Sequence, residues 1–191
     1  MKSERSFTAK DILLPALVLV VICAAASGLL AVTNAVTVDR IAAIDAENKA
    51  DSMSLVMPDA ASFGEETADG DIAYSPALDS SGNTVGYVFT ATVKGYGGDI
   101  NVMTGIDTDG VITAATVLSA DDETPGLGQN TRKESFIGQF AGKSGRLTVV
   151  KTTPGENEIQ AVTSATISST AVTKAVNSCL EYFSDNLREV N

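Results

Sequence analysis

The chain has 191 residues, 44% of them hydrophobic, with 13 Lys and Arg against 24 Asp and Glu and a formal net charge of −11. Such acidity repels nucleic acid, so DNA and RNA are excluded as partners, and the length suits one membrane segment plus one modest domain. There is no histidine and there are only two cysteines, Cys23 and Cys179, which excludes histidine-ligated haem, a Ser-His-Asp triad and a cysteine-held iron–sulfur cluster.

From Ile12 to Val38 no residue is charged. As a helix, at ~1.5 Å per residue, this run reaches ~40 Å, more than a ~30 Å hydrocarbon core. Pro15 stands near its start, where a helix tolerates proline best. Lys2, Arg5 and Lys10 precede the run, and the positive-inside tendency then sets the N-terminus in the cytoplasm. The alternative is a cleaved signal peptide with Ala24-Ala25-Ala26 as its small-residue site, although the apolar run continues through Leu29, Leu30 and Val32. Ile22 before Cys23 does not suit lipid attachment. Residues 39–57 continue as a helix with Ile41, Ile44, Leu55 and Val56, and Pro58 ends it. The expected organisation is a cytoplasmic N-terminus and single transmembrane helix over 1–38, a juxtamembrane helical linker over 39–60, and an extracytoplasmic domain over 61–191.

Residues 64–82, with Gly64, Gly70, Pro76 and Gly82, read as a loop-rich acidic approach holding at most one short strand. Val85 to Val93 alternates, with Val85, Tyr87, Phe89, Ala91 and Val93 on one face, which predicts a half-buried strand. Gly95-Tyr96-Gly97-Gly98 turns the chain, Ile100–Ile106 makes a second strand, Asp107-Thr108-Asp109-Gly110 a turn, and Val111–Ser119 a third strand. This succession predicts an antiparallel meander. Residues 131–141 follow the helical period, with Phe136, Ile137 and Phe140 on one face. Leu147–Val150 and Ile159–Val162 are short strands on either side of Pro154-Gly155. The last helix carries Val172, Val176, Cys179, Phe183 and Leu187 at steps of three and four. The fold class expected is α+β: an N-terminal transmembrane helix, then a mixed, largely antiparallel sheet domain with flanking helices.

Two stretches carry possible chemistry. In Glu123-Thr124-Pro125-Gly126-Leu127-Gly128, proline fixes one backbone angle and the glycines permit positive φ and close approach of a ligand to the main chain. An ordinary tight turn reads equally well from that spacing, and Glu123 is either the residue that orients the loop or a solvated neighbour of Asp121 and Asp122. Thr163-Ser164-Ala165-Thr166-Ile167-Ser168-Ser169 sits at a strand-to-helix junction. Its hydroxyls suit capping of free N–H groups, while a helix N-terminus with a threonine hydroxyl and small neighbours also suits a phosphate-bearing group. Arg132, Lys133, Lys143, Arg146 and Lys151 gather positive charge between the two stretches, either to offset a phosphate or as a solvated face. No Rossmann glycine signature is present, and the chain has no redox group of its own, so electron transfer would need a borrowed cofactor.

Both stretches, the apolar N-terminal run and Gly95-Tyr96-Gly97-Gly98 together resemble the flavin-binding G subunit of the Rnf electron-transport complex, and its relative, the C subunit of the sodium-pumping NADH:quinone oxidoreductase. The resemblance runs over nearly the whole chain. It implies covalent FMN, joined through its phosphate to the last threonine of a Ser/Thr-Gly-Ala-Thr motif, here Thr166. It further implies Thr163, Ser164, Ala165, Glu123, Thr124, Gly126, Leu127 and Gly128 as cofactor-binding residues, with no catalytic or metal-ligating residue. Ser164 stands where that family usually has glycine and Gln160 where aspartate is common. The implied partners are the other membrane subunits of the redox complex, a flavin transferase that moves FMN from FAD to the hydroxyl, and the membrane. The implied location is the inner (cytoplasmic) membrane, single-pass, with the C-terminal domain on the far side. Two other readings stay open: the equivalent subunit of a sodium-pumping NADH:quinone oxidoreductase, and a non-redox membrane-tethered scaffold.

Overall fold

The structure, a computed structural model, describes residues 9–188. Lys2 and Arg5, on which the expected orientation rests, lie outside the described residues. Two compact units divide between Asn48 and Lys49.

Helix α1, Ala9–Val56, supplies the whole described part of the first unit. It is long and apolar enough to cross a membrane. Leu13, Leu17, Leu29, Leu30 and Val36 are all exposed. Two threonines within the apolar run bond the helix's own backbone: the Thr33 hydroxyl donates to the Leu29 carbonyl at 2.9 Å, and Thr37 to Thr33 at 2.9 Å. Pro15 falls inside the helix rather than in its first turn, where it removes one intrahelical hydrogen bond. The helix runs unbroken through the expected boundary at residue 38 and stops at Val56, ahead of Pro58.

The second unit is built on a six-stranded antiparallel sheet. Its strands are β1 Ser62–Phe63, β2 Thr67–Asp69, β3 Ile72–Leu78, β4 Thr84–Lys94, β5 Asp99–Asp107 and β6 Ile112–Ser119. Strands β3, β4, β5 and β6 pair in sequence, and both β1 and β2 pair with β3. The expected meander is therefore present, but it begins one strand earlier than the composition of residues 64–82 suggests. Pro76 lies within β3, opposite Tyr87.

The two sheet faces are both covered. On one, Phe89, Ala91, Ile100, Val102 and Ile106 pack with Val172, Val176, Cys179 and Phe183 of helix α3, Thr166–Asn186. On the other, Val88 and Met103 pack with Val56, Met57 and Ala77. Each fully buried Phe contributes about 1.5–3 kcal/mol by area transfer, and Phe89, Phe136, Phe140 and Phe183 make this first face the larger core. Val85 leaves its expected face. The pairing passes from Ala77–Gly86 to Leu78–Thr84, so Val85 is the extra residue of a bulge and joins Val88's cluster instead.

Between β6 and α3 the chain is more irregular than the helical period over 131–141 suggests. A 3-10 turn at Gly128–Arg132 leads to the single-turn helix α2, Glu134–Ile137. Phe136, Ile137 and Phe140 are buried as expected. Strands β7, Thr148–Val150, and β8, Glu158–Gln160, pair in parallel. Pro154-Gly155 therefore does not fold them into a hairpin, and the Lys143 ammonium holds the intervening loop through the Glu156 carbonyl.

Candidate functional site

Strand β6 ends at Ser119, and the chain turns at once, with the Glu123 amide donating to the Ala120 carbonyl at 3.2 Å. Asp121 and Asp122 are exposed, but Glu123 points inward and is only 2% exposed. Its Oε1 accepts from the Tyr96 amide at 2.7 Å and from the Gly97 amide at 2.9 Å. Its Oε2 accepts from the Ser168 hydroxyl at 2.6 Å. The reading of Glu123 as a solvated neighbour of Asp121 and Asp122 is thereby overturned. Burial pushes its pKa up, but the hydrogen bonds from Ser168 and from the Gly97, Tyr96 and Gly98 amides win, leaving the carboxyl below its ordinary value. It is ionised at neutral pH.

Thr124 to Leu127 form a tight turn closed by the Leu127 amide on the Thr124 carbonyl at 3.1 Å. Gly126 holds φ +77, as the third residue of a type II turn after proline requires. The Asn130 amide group braces the turn by donating to the Gly126 carbonyl at 2.5 Å. Gly128 is needed for a different reason. A Cβ there would overlap Glu123 Oε2 and lie 2.8 Å from Ser168 Oγ.

Helix α3 begins at Thr166 with Ala165 as its N-cap, and no side chain caps it. The expected hydroxyl cap is absent because the N-cap position falls on Ala165, and the hydroxyls within the helix start bond elsewhere. Ser168 goes to Glu123, Ser169 donates to the Ala165 carbonyl at 2.9 Å, and Thr170 donates to the Thr166 carbonyl at 2.7 Å. Ser164, just before, has φ 63, a left-handed backbone that costs a non-glycine residue about 1–2 kcal/mol.

These segments enclose a cavity of about 390 Å³ lined by Tyr96, Glu123, Thr124, Leu127, Gly128 and Ser164 through Ser168. Thr163 and Gly126 do not line it. They face an adjoining hollow of about 580 Å³ that also holds Lys133 and shares Leu127 and Ser164 with the first. The cations expected to gather are dispersed: Arg132 pairs with Asp121 at 3.1 Å, Arg146 lies 3.8 Å from Glu181, and Lys143 bonds backbone carbonyls. No lysine or arginine lines the smaller cavity.

Beyond α1, the large hydrophobic side chains left exposed among the described residues are Tyr96 (69%), Leu127 (40%) and Ile167 (58%), and all three line the same cavity. Exposed apolar surface concentrated in one hollow marks a ligand site. The geometry thus combines an apolar cradle, free-standing backbone N–H groups at a long helix start, and a threonine hydroxyl at the junction. Sequence reasoning missed Ile167 as a wall and Ser168 as the partner of Glu123. Ile167 did leave a signal, being an apolar residue off the Val172–Val176–Phe183 face; the Ser168 contact left none.

Residues 95–181 match the FMN-binding domain family. The chain is 39% identical to the G subunit of the Na⁺-translocating ferredoxin:NAD⁺ oxidoreductase complex of Acetobacterium woodii, covering 87% of this chain and 89% of that protein. It is 36% identical to the G subunit of the ion-translocating oxidoreductase complex of Methanosarcina acetivorans, covering 92% and 96%. The crystal structure of the C subunit of Na⁺-translocating NADH-quinone reductase from Parabacteroides distasonis shares the fold, with a TM-score of 0.52 and 24% identity over 62% of this chain and 65% of that one.

Proposed function

The chain belongs to the G-subunit family of ion-translocating oxidoreductase complexes, with an FMN-binding domain over residues 95–181, and from that premise we propose that it is the electron-relaying flavin subunit of such a complex, carrying FMN covalently on Thr166. The observation that carries this reading is the convergence of Tyr96, Leu127 and Ile167, exposed and apolar, on the cavity that Thr166 lines. The residues fit the group. The apolar side chains suit a planar ring system, and the first turn of α3, uncapped by any side chain, suits a phosphate. When bound, FMN supplies one- and two-electron redox chemistry that the chain's own side chains lack.

The roles of the residues follow. Tyr96, Leu127 and Ile167 exclude water from the ring, Gly128 lets the loop close over Glu123, and the α3 amides meet phosphate charge that no cation of this cavity offsets. In attachment, the Thr166 hydroxyl displaces AMP from FAD on a separate flavin transferase. An Oγ–P bond would form as the P–O–P anhydride of FAD breaks, AMP leaving with the proton of the hydroxyl released. The tether replaces an affinity by a high local concentration. Helix α1 is the single membrane span of this reading. The N-terminus is cytoplasmic, and the FMN domain over 61–191 lies on the far side among the other membrane subunits. The complex moves electrons between ferredoxin and NAD with translocation of Na⁺ or H⁺.

The test is colour and mass. The full chain, co-expressed with a flavin transferase, is expected to show flavin absorbance and a Thr166 peptide heavier by one FMN phosphoryl group. A colourless protein would favour a membrane-tethered scaffold that has kept the fold.

A further inference from the structure

Glu123 is the one carboxylate built into the wall of the cavity, and its surroundings are arranged for it. Its partners lie 26, 27 and 45 residues away in sequence. Glycines stand where any side chain would strike its oxygens: a Cβ at Gly95 would overlap Oε1, and one at Gly128 would overlap Oε2. A carboxylate offers about four lone-pair sites. Three are taken by protein donors and the side chain is 2% exposed, so little remains for direct ligation of a cofactor.

We infer that Glu123 is the positioning residue of the flavin site, clamping the Tyr96–Gly97 turn and the first turn of α3 on either side of the cavity and placing a fixed negative charge in its wall. The clamp joins the segment that carries Tyr96 to the one that carries Ile167 and Thr166, so it sets both the apolar walls and the presentation of the acceptor hydroxyl. The role of the charge follows from comparing the acid with its amide. A glutamine here could keep all three contacts, its oxygen accepting from Tyr96 and Gly97 and its NH₂ donating to the Ser168 hydroxyl, which both donates and accepts. Geometry alone therefore does not call for a carboxylate. A buried charge is costly even when well bonded, and its effect is to disfavour added negative charge in the cavity, which lowers the potential of any electron acceptor held there. This inference rests on the FMN reading, but the clamp is present without ligand.

The experiment uses the full chain in detergent, with and without flavin transferase. Glu123→Gln is expected to show a more positive flavin midpoint potential than wild type, read on the modified fraction of each. Glu123→Ala, which takes the shared acceptor from the Tyr96 and Gly97 amides, is expected to lose Thr166 modification at least tenfold. In the protein without flavin, hydrogen exchange at the Tyr96 and Gly97 amides should quicken at least tenfold in Glu123→Ala and less in Glu123→Gln. If Glu123→Ala does not fold, Ser168→Ala releases only the α3 end and is read instead by hydrogen exchange in the first turn of α3 and by Thr166 modification, which should quicken and fall respectively. An unchanged potential in Glu123→Gln would overturn the charge role, and unchanged Tyr96 and Gly97 exchange in Glu123→Ala, or unchanged exchange in the first turn of α3 in Ser168→Ala, would overturn the clamp. Wild-type chain without flavin on Thr166 would instead refute the FMN reading, with the exchange data still deciding the clamp.

Discussion

The Ser169 hydroxyl accepts a hydrogen bond from the Val162 amide at 3.0 Å while donating to the Ala165 carbonyl at 2.9 Å. One buried side chain of α3 thus staples the short loop between β8 and the helix, and that loop is the one holding Ser164 at φ 63. The strained residue sits where the resembling family usually carries glycine, which has no Cβ penalty in this conformation. Ser164→Gly should therefore stabilise the domain by about 0.5–1 kcal/mol, the relief of left-handed strain less the added chain entropy of glycine. Ser164→Val should destabilise it. Denaturant unfolding of the domain checks both, and a destabilised glycine variant would refute the strain argument.

The Glu123 carboxyl makes a pH prediction whose sign can be worked out. Its folded pKa is lowered, with burial opposing and the Ser168, Gly97 and Tyr96 bonds prevailing. Such a group contributes stability that is full above its unfolded value of about 4.3 and is lost as pH falls through the lower folded value. The stability gap between wild type and Glu123→Gln should therefore be constant near neutrality and close below about pH 4. Thermal melts across that range measure it, and a gap independent of pH would mean that the fold does not lower the Glu123 pKa.

The two glycines of the loop should separate in their effects. Gly128→Ala drives a methyl into Glu123 Oε2 and Ser168 Oγ, an overpacking worth about 1–3 kcal/mol, and should also reduce Thr166 modification. Gly126→Ala meets nothing within 4 Å but must hold φ +77, so it should cost about 1 kcal/mol and leave the modification intact. Equal effects on modification would place the loop's importance in its turn rather than in its contact with Glu123.

How much of this could be read in the residues depends on the range of the interaction. Strands β4 to β6 announce themselves because alternating Tyr87, Phe89 and Ala91 need only neighbours two residues away. The α3 core face, Val172 to Phe183, is legible for the same local reason. Strand β3 is not, since Pro76 and the glycines before it signal turns and only pairing with Tyr87 and its neighbours makes a strand of them. Val85 misleads because a bulge is a tertiary adjustment. At the site, Thr166, Leu127 and Gly128 are recognisable by motif. The hydroxyl roles are not, because Ser168 finds Glu123 across 45 residues and no periodicity marks that meeting.

The orientation of α1 is open to a direct measurement. Lys2, Arg5 and Lys10 precede the uncharged run from Ile12 to Val38, whose large apolar side chains are exposed. Reporters active only outside the cytoplasm, fused after Asn191, should be active, and reversing the charge of all three cations should reduce that activity. N-terminal sequencing beginning near Ser27 would reveal a cleaved signal peptide instead.

The narrowest prediction is that Thr166, among six neighbouring hydroxyls, is the acceptor. Ser168 and Ser169 are buried and bonded to Glu123 and to the Ala165 carbonyl, and Thr170 is turned back on its own helix. Thr163 lines the adjoining hollow rather than this one. Ser164 lines both, but it precedes the helix and does not stand in its first turn. Thr166 alone joins a place in the cavity wall to the first position of α3, where backbone N–H groups favour a phosphate. Thr166→Ala should abolish covalent flavin, and Thr166→Ser should retain part of it because the nucleophile survives. In-gel flavin fluorescence after denaturing electrophoresis, followed by mass spectrometry of the peptide between Lys151 and Lys174, reads both. Fluorescence undiminished in Thr166→Ala, or FMN localised to Ser168, would refute the assignment, and would require the Glu123 clamp to open before attachment.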